Sequence, residues 1–313
     1  MIELENIARH ASLRQLQVFA AIVHQGSFTK AAEILHLTQP TVSMQMSKLS
    51  QTIGMPLLEQ ANRKVQMTAA GEVLYKATRD IFGTFSRLEM EIADLKGLKY
   101  GRLRLTALTT AQYFAPRILG EFSKRFPGIE VSLNVINREH LIERLSRNED
   151  DIYILGQSFP PGIKIKASPF AENKLVVIAS SEHPLAGRKN IPLKEITSES
   201  FIMREPGSGI RDAVFRLFNQ YKLTPNTGFE LGSNEAIKHA IVAGLGISVL
   251  SHTALTLENP NGPLTILDVE NFPIQRQWYL VYPEGKKLSL VAQAFHDFCM
   301  QEGARLVATP WKL

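Results

Sequence analysis

The chain has 313 residues, more than one typical hydrophobic core organises, so two or three domains are expected. Its formal charge of +5 comes from 35 basic and 30 acidic residues, and residues 1–98 hold ten basic against nine acidic, so overall charge is only a weak indication of a nucleic-acid partner. A single cysteine, Cys299, excludes an intramolecular disulfide. With no recognisable signal peptide and no long apolar run, a cytoplasmic protein without membrane contact is expected.

The first predicted elements are a helix followed by a helix-turn-helix. Apolar residues recur at helical spacing from Leu13 to Ile22, which predicts an amphipathic helix. Residues 27–52 then indicate two short helices joined by a tight turn at His36-Leu37. Ser27 and Thr38 are the predicted N-caps, and Pro40 follows in the first turn of the second helix, where a missing N–H costs nothing.

The second helix presents a polar face that suits DNA. With Val42, Met46 and Leu49 assigned to the core, its exposed positions carry hydrogen-bonding groups and no carboxylate, which fits a negatively charged groove. The candidate DNA-binding residues are Ser27, Thr38, Gln39, Pro40, Thr41, Ser43, Met44 and Lys48, with Arg63 and Lys64 in the segment that follows. Two amphipathic helices with a capped turn also occur in many all-α proteins, and on this segment alone that alternative stays open.

A wing and a long helix are predicted next. Residues 55–68 form a turn-bearing loop followed by alternating Val65 and Met67, which indicates the wing of a winged helix. Thr68 is the predicted N-cap of a helix from Ala69 to about Lys96. This helix has apolar residues at near-heptad spacing and would reach roughly 42 Å, too far for its own small domain to bury. It is expected to pair with a second copy. The alternative, a core helix of the following domain, is disfavoured by the hinge-like sequence of residues 97–101.

From Arg102 onward, short strands alternate with helices, which predicts an α/β domain with mainly parallel sheets. The chain is expected to enter a second subdomain near Pro169-Phe170 and to return near Arg276, so that two lobes enclose a cleft. The expected boundaries are 1–68 for the winged helix-turn-helix, 69–98 for the linker helix and 99–313 for the two-lobed domain, with lobe I at 99–169 and 276–313 and lobe II at 170–275. Strands are expected at 102–108, 130–136, 151–155, 173–180, 200–203, 228–232, 246–251 and 276–282, and helices at 115–126, 138–147, 211–221, 235–243 and 290–302.

Three loops of this domain leave a strand and open a helix, where free N–H groups and the helix dipole favour an anion. They are residues 109–112, 204–211 and 233–235. The candidate ligand-binding residues are Thr109, Thr110, Gln112, Asn137, Arg138, Gln157, Arg204, Glu205, Gly207, Ser208, Gly209, Arg211, Ser233, Asn234, Glu235 and Lys238. Any one loop is explained at least as well by a helix cap or a turn, but three together, with four basic side chains nearby, favour an anionic metabolite.

No catalytic or metal site is expected. The eight histidines show no metal-ligand spacing, and no nucleophile, base and orienting acid can be assembled. A ligand-responsive DNA-binding protein without cofactor is therefore the leading hypothesis. The alternative from another class is a two-lobed enzyme or solute-binding module whose front segment serves only for assembly, and DNA binding would separate the two.

Several segments resemble the LysR-type transcriptional regulators: residues 13–49, the wing ending in MTAAGE, and the later REPGSG and AGLGISVLS. The resemblance covers essentially the whole chain. It implies an N-terminal all-α winged helix-turn-helix with a long linker helix that dimerises, followed by an α/β two-lobed effector domain like that of periplasmic binding proteins. It also implies double-stranded DNA with an inverted-repeat operator as partner, a homodimer that assembles to a homotetramer, RNA polymerase as a further candidate partner, and activation or repression of transcription.

Within that family, NREHLIERL, REPGSGIR and ELGSNEAIKHAIVAGLGISVLS look most like the regulators of RuBisCO and other carbon-assimilation operons. This implies a small anionic effector such as a sugar phosphate, phosphoglycolate, 2-oxoglutarate or NADPH; regulation of nitrogen, sulfur or aromatic metabolism is the alternative. Gln39, Pro40, Ser43 and Met44 match the family's groove-facing residues. The family often has arginine where Gln60 and Met44 stand, and because Met44 can touch a thymine methyl but cannot read guanine, an A·T-rich half-site is expected.

Overall fold

The computed structural model describes residues 10–61, 64–95, 100–157, 159, 162–259 and 261–308. The chain divides into two compact units, residues 1–91 and 92–313. In the described ranges, no helix is both long and apolar enough to cross a membrane.

The first unit is a winged helix-turn-helix, as predicted. Its elements are α1 (Leu13–Gln25), α2 (Phe28–Ile34), α3 (Gln39–Ile53), β1 (Leu58–Ala61) and β2 (Lys64–Met67), the last two paired antiparallel. The predicted caps are present, since the Ser27 and Thr38 hydroxyls accept the N–H groups of Lys30 and Thr41. The turn between α2 and α3 places His36 in the left-handed region at φ 52°.

The three helices enclose a core in which Phe19, Ile22, Val42 and Leu49 are fully buried. This confirms the predicted division of α3 into a buried and an outward face. Leu13 was expected on the packed face of α1 but is 48% exposed. It is the first residue of the helix, and the apolar positions that pack begin one turn later.

The long helix α4 spans Ala69–Leu95, and its side chains are described as far as Ile92 with several gaps. The predicted cap is correct: Thr68 Oγ1 accepts the Gly71 N–H at 3.1 Å and donates to the Pro56 carbonyl at 2.7 Å. A Cβ atom on Gly71 would lie 2.1 Å from the Leu57 carbonyl oxygen. Only glycine therefore lets the first turn of α4 press against the loop that precedes the wing.

Lobe I of the second unit is built on a five-stranded sheet in the order β4-β3-β5-β12-β6. Its elements are β3 (Gly101–Leu108), a 3-10 helix (Thr109–Tyr113), α5 (Ala115–Arg125), β4 (Ile129–Ile136), α6 (Arg138–Ser146), β5 (Ile152–Gly156), β6 (Ile165–Glu172), β12 (Gln277–Pro283) and α9 (Leu290–Ala308). Its core contains Phe114, Phe122, Trp278 and Phe295, and Cys299 is also buried there.

Lobe II holds the residues between the two chain crossings. Its elements are β7 (Leu175–Ser180), β8 (Phe201–Arg204), α7 (Gly209–Gln220), β9 (Thr227–Leu231), α8 (Asn234–Val242), β10 (Ser248–Ser251) and β11 (Leu264–Leu267). The strands form a three-stranded sheet, β10-β7-β11, and a parallel pair, β8-β9. Their apolar faces, with Phe201, Phe218 and Ile247, form a core separate from that of lobe I.

The prediction of mainly parallel sheets is wrong. Among the strand pairs described in the second unit, β3-β4, β3-β5 and β8-β9 are parallel, whereas β12 runs antiparallel to β5 and β6, and β7 runs antiparallel to β10 and β11. The chain leaves lobe I along β6 and returns along β12, so these neighbours must point in opposite directions. Strand β6 was not predicted because it contains Pro169, which it tolerates as the edge strand of its sheet.

Helix α4 exposes a row of large apolar side chains. Ile81, Phe85, Leu88 and Ile92 are between 37% and 49% exposed, on the near-heptad stripe that the sequence indicated. We expect the double variant Ile81→Asp, Leu88→Asp to split the oligomer, because it places two charges in the predicted helix-helix interface.

Sedimentation velocity measures this effect. Lys76→Asp is the matched control, since it changes the net charge by the same two units at an exposed position on the opposite side of the helix. Equal sedimentation coefficients for the double variant and the parent would contradict the pairing of α4.

Candidate functional site

The outward face of α3 carries the residues predicted to contact DNA. Gln39, Pro40, Met44 and Lys48 are exposed, and Met44 is 47% exposed. The Gln39 amide donates to Ser43 Oγ at 3.0 Å, one helical turn away. Thr38 Oγ1 and Thr41 Oγ1 lie 2.8 Å apart. The side chains are therefore aligned along one face, where hydroxyl and amide groups can meet base edges and phosphates.

The wing is described only in part. Lys64 begins β2, but its side chain and the whole of Arg63 lie outside the described residues. The wing is anchored at its base, where Leu58 pairs with Met67 and Leu57 is fully buried.

The second candidate site is a cleft of about 50 Å³ between the lobes of the second unit. From lobe I it is lined by the end of β3 and the start of the 3-10 helix, by the first residue of α6 and by the end of β5. From lobe II it is lined by the end of β8 and the start of α7. The lining residues are Leu108, Thr109, Thr110, Arg138, Gly156, Asn173, Arg204, Glu205, Ser208, Gly209, Ile210, Arg276 and Trp278.

The lobe II wall offers an open helix start. Ser208 is the N-cap of the twelve-residue helix α7 but forms no side-chain capping bond, and it is only 7% exposed. Its hydroxyl is therefore not used to satisfy its own helix. Gly207, just before it, adopts φ 83°, a conformation that glycine allows and that turns the chain into the helix. Uncapped N–H groups and the helix dipole favour an anion at this point.

Two arginines give the cleft its charge. Arg138 is half-buried at the start of α6, and burial lowers its pKa. Arg276 is 7% exposed and donates from Nη1 to the Gly209 carbonyl at 2.6 Å. Burial, together with the nearby positive charges of Arg216 and Arg138, lowers the pKa of Arg276 to about 10. Both guanidinium groups stay charged at neutral pH, so the cleft favours an anion.

Arg276, Asn173 and Trp278 also line the cleft, but the sequence did not predict them as ligand contacts. Asn173 and Arg276 stand at the two points where the chain crosses between the lobes, and the Asn173 N–H donates to the Arg276 carbonyl at 2.8 Å. Trp278 is buried, and its indole N–H has no hydrogen-bond partner among the described residues. The sequence did contain a signal for Asn173 and Arg276: both are polar residues close to the predicted crossings between the lobes, and the strands that cross end at the cleft.

Several predicted residues lie in the cleft wall but are engaged elsewhere. The Arg204 guanidinium is only 5% exposed and binds Glu205 through two bonds of 2.6 and 2.7 Å. Its remaining nitrogen donates to Asn234 Oδ1 at 2.6 Å. The predicted fork of Arg204 is thus used to tie β8 to α8.

Other predicted residues do not line the cleft. Arg211 donates to the Arg204 carbonyl and to Glu230, and it lies over the Phe215 ring. Asn137 and Ser233 are helix caps, an alternative that the sequence had left open for Ser233. Gln112 is exposed, and Gln157 lines a different cavity.

A polar bridge connects the lobes beside the cleft. Tyr113 of lobe I donates to Glu235 of lobe II at 2.6 Å, and Lys238 lies 3.0 Å from Glu235, 2.5 Å from Glu258 and 5.5 Å from the Tyr113 ring centre. Although burial alone would raise the pKa of Glu235, hydrogen bonds from Tyr113 and Lys238 lower it overall. Glu235 and Lys238, predicted as ligand contacts, here hold the lobes in the observed arrangement.

No group of three or more His, Cys, Asp or Glu residues is placed to hold a metal ion in the part of the chain that the structure describes. The two sites offer hydrogen bonds and favour negative charge. The outward face of α3 has no carboxylates, and the cleft has two arginines and an open helix start.

Both units of the chain match families of known proteins. Residues 13–72 match the bacterial regulatory helix-turn-helix protein, lysR family, and residues 96–304 match the LysR substrate binding domain. The HTH-type transcriptional activator CmpR of Synechocystis sp. is 51% identical over 290 residues, which cover 93% of this chain and 95% of CmpR. A RuBisCO operon transcriptional regulator of Acidithiobacillus ferrooxidans is 45% identical, covering 95% of this chain and 96% of that protein.

Solved structures give the same result. The regulatory domain of Synechocystis CcmR, in complex with 2-PG, is 52% identical and superposes with a TM-score of 0.62 over 64% of this chain and 96% of that domain. Full-length CbnR, a LysR family regulator complexed with its target DNA, superposes with a TM-score of 0.56 over 93% of this chain and 99% of that chain. At 21% identity, CbnR supports the fold alone. The chain belongs to the LysR family of bacterial transcriptional regulators.

Proposed function

We propose that this regulator binds an inverted-repeat operator of carbon-fixation genes and that a small anionic metabolite, with 2-phosphoglycolate as the first candidate, modulates this binding from the cleft. The observation that carries the proposal is the concentration of Arg138, Arg276 and the uncapped start of α7 on one cleft. The structure of CcmR with 2-PG supports this choice of ligand, because that domain is 52% identical to the corresponding part of this chain. The RuBisCO operon regulator among its relatives supports the choice of genes.

The proposed division of labour follows the expected boundaries. Residues 1–68 bind DNA, residues 69–98 pair two chains, and residues 99–313 bind the effector between a lobe at 99–169 and 276–313 and a lobe at 170–275. Two such dimers form a tetramer. The chain works in the cytoplasm, without a cofactor and without catalysing a reaction; in either lobe, the groups facing the cleft bind and orient an anion.

The contacts proposed for the effector are fewer than the sequence indicated. Arg138 and Arg276 hold the negative charge, and the Ser208 hydroxyl with the first N–H groups of α7 receives the anionic oxygens. Thr109, Thr110 and Asn173 supply neutral hydrogen bonds from the opposite wall. Arg204 and Asn234 act indirectly, since their bond fixes the end of β8 relative to α8.

A thermal-shift titration with 2-phosphoglycolate tests the cleft. The parent protein is expected to gain about 2.7 kcal/mol of stability at a ligand concentration a hundredfold above the dissociation constant. Arg138→Gln and Ser208→Glu should abolish the gain, because one removes a positive charge and the other places a carboxylate at the helix start.

Ser181→Glu is the control for charge, since it makes the same substitution at an exposed position of lobe II. An undiminished thermal shift in both cleft variants would show that the ligand binds elsewhere. No shift in the parent would reject 2-phosphoglycolate as the effector.

The DNA-binding face predicts two kinds of variant. Gln39→Ala and Ser43→Ala should each weaken operator binding by about 1–3 kcal/mol and leave binding to scrambled DNA nearly unchanged, because base-edge contacts are lost. Lys64→Ala should weaken both alike and reduce the slope of log K against log salt by about one, because a phosphate contact is lost.

Mobility-shift titrations on operator and scrambled duplexes at several salt concentrations separate these outcomes. Gln25→Ala, the same truncation as Gln39→Ala but at the end of α1, is the control. Equal losses on the two duplexes for the Gln39 and Ser43 variants would refute the assignment of α3 as the reading helix.

The bridge between the lobes gives a third prediction. Tyr113→Phe removes the hydroxyl that donates to Glu235 but keeps the ring beneath Lys238. If the observed arrangement is the one that binds the effector, its population falls, and we expect a roughly three- to tenfold rise in the dissociation constant for 2-phosphoglycolate.

Tyr221→Phe is the matched control, because it removes a hydrogen bond of the same 2.6 Å length, to Asn271, that lies within lobe II. Calorimetric titration of both variants measures the difference. Identical affinities would show that the bridge does not favour the binding arrangement.

A further inference from the structure

A second cavity, of about 560 Å³, lies apart from the cleft and shares only Arg276 with it. It is bounded by one face of α7, which contributes Arg216 and Gln220, by Gln157 and Phe159 after β5, and by Gln275 at the return crossing. Its volume lies within the range of small-molecule sites, which is about 300–1,000 Å³. This cavity is therefore not part of the cleft proposed for the effector.

The lining of this second cavity is polar and carries no carboxylate among the residues described. Arg216 is exposed and forms no ion pair or hydrogen bond with any described residue, unlike Arg204 and Arg211 in the same lobe. Gln157, Gln220 and Gln275 each offer both a donor and an acceptor, the pattern that suits hydroxyl groups. A phosphate near Arg216 would supply the charge that the protein leaves unmatched there.

The surroundings of Arg276 make the case for an anion stronger. Arg138 approaches Arg276 from the cleft and Arg216 from the second cavity, and both oppose its charge, whereas Asp212 is the nearby carboxylate that favours it. Arg216 lines the second cavity and not the cleft, so an anion in this cavity meets a charge that the cleft does not use.

The rest of the wall is apolar and is formed by Ala213, Leu217, Ile274 and the aromatic ring of Phe159. Phe159 is 38% exposed, and its ring meets the Tyr279 ring edge to face, with centres 4.9 Å apart. This contact holds the ring in place and leaves part of it uncovered. A partly exposed aromatic ring beside amide groups is a surface on which the C–H face of a sugar packs.

We propose that this cavity is a second anion site that takes a phosphorylated, hydroxyl-bearing metabolite, with its phosphate on Arg216 and Arg276 and its hydroxyls on the three glutamine amides. The site shares Arg276 with the effector cleft, and its other lining residues are distinct from those of the cleft.

The test uses the full chain with the cleft blocked by Ser208→Glu, and ribose 5-phosphate as the probe in calorimetric titrations at constant ionic strength. One molecule is expected to bind per chain, and ribose without phosphate is expected not to bind. Adding Arg216→Ala should weaken the probe about tenfold or more, as the loss of a charge-assisted hydrogen bond predicts. Adding Gln220→Ala should weaken ribose 5-phosphate more than inorganic phosphate.

Arg125→Ala, which removes an exposed arginine at the end of α5, is the control and should leave the affinity unchanged. If Ser208→Glu does not fold, Arg138→Ala serves as the cleft-blocked background. The proposal is overturned if ribose 5-phosphate does not bind the blocked protein, or if Arg216→Ala leaves its affinity as it was.

Discussion

The buried guanidinium group of Arg276 constrains the arrangement of the second unit. Arg276 sits where the chain returns to lobe I, and it donates to the carbonyl of Gly209, the first residue of α7. The N-terminal end of that helix is positive, and so are the neighbouring side chains of Arg138 and Arg216. Bringing the lobes together therefore gathers positive charge that the protein itself balances only in part.

This constraint links the arrangement of the lobes to an anion. We expect a negatively charged ligand to stabilise the observed arrangement of the lobes, because this arrangement brings positive groups of both lobes to the same cleft. A ligand can shift an equilibrium only by such differential binding. The Tyr113–Glu235 contact also stabilises this arrangement, and it does so without a ligand, since it too is formed only when the lobes meet.

What the sequence could predict was local. The caps Ser27 and Thr38, the buried face of α3 and the cap of α4 all depend on residues within a few positions of one another, and the structure contains them as expected. The strands and helices of the second unit were also largely predictable from hydrophobic rhythm. Strand β6 was not predicted because it contains Pro169. A strand tolerates proline only at the edge of a sheet, and the sequence does not show which strands lie at an edge.

The cleft was harder to predict, because its residues meet through pairing over long distances in the chain. Asn173 and Arg276 are neighbours because their strands run antiparallel, which the sequence reasoning did not foresee. Arg204 was selected as a fork for the ligand, but the adjacent Glu205 occupies it. Basic residues near a helix start look alike in the sequence, whereas the structure shows that Arg138 and Arg276 line the cleft and that Arg211 and Lys238 do not.

The tight contact at Gly71 has a mechanical consequence for the DNA-binding unit. Since the first turn of α4 rests against the loop before the wing without room for a methyl group, we expect the start of the helix and this loop to move together. A helix of 27 residues is about 40 Å long, so tilting it by about 5° displaces one end by about 3–4 Å relative to the other. That distance is close to the rise of about 3.4 Å per base pair in DNA. A lever of this length converts a small angular change into a displacement comparable to one base-pair step, without any rearrangement inside the helix-turn-helix itself.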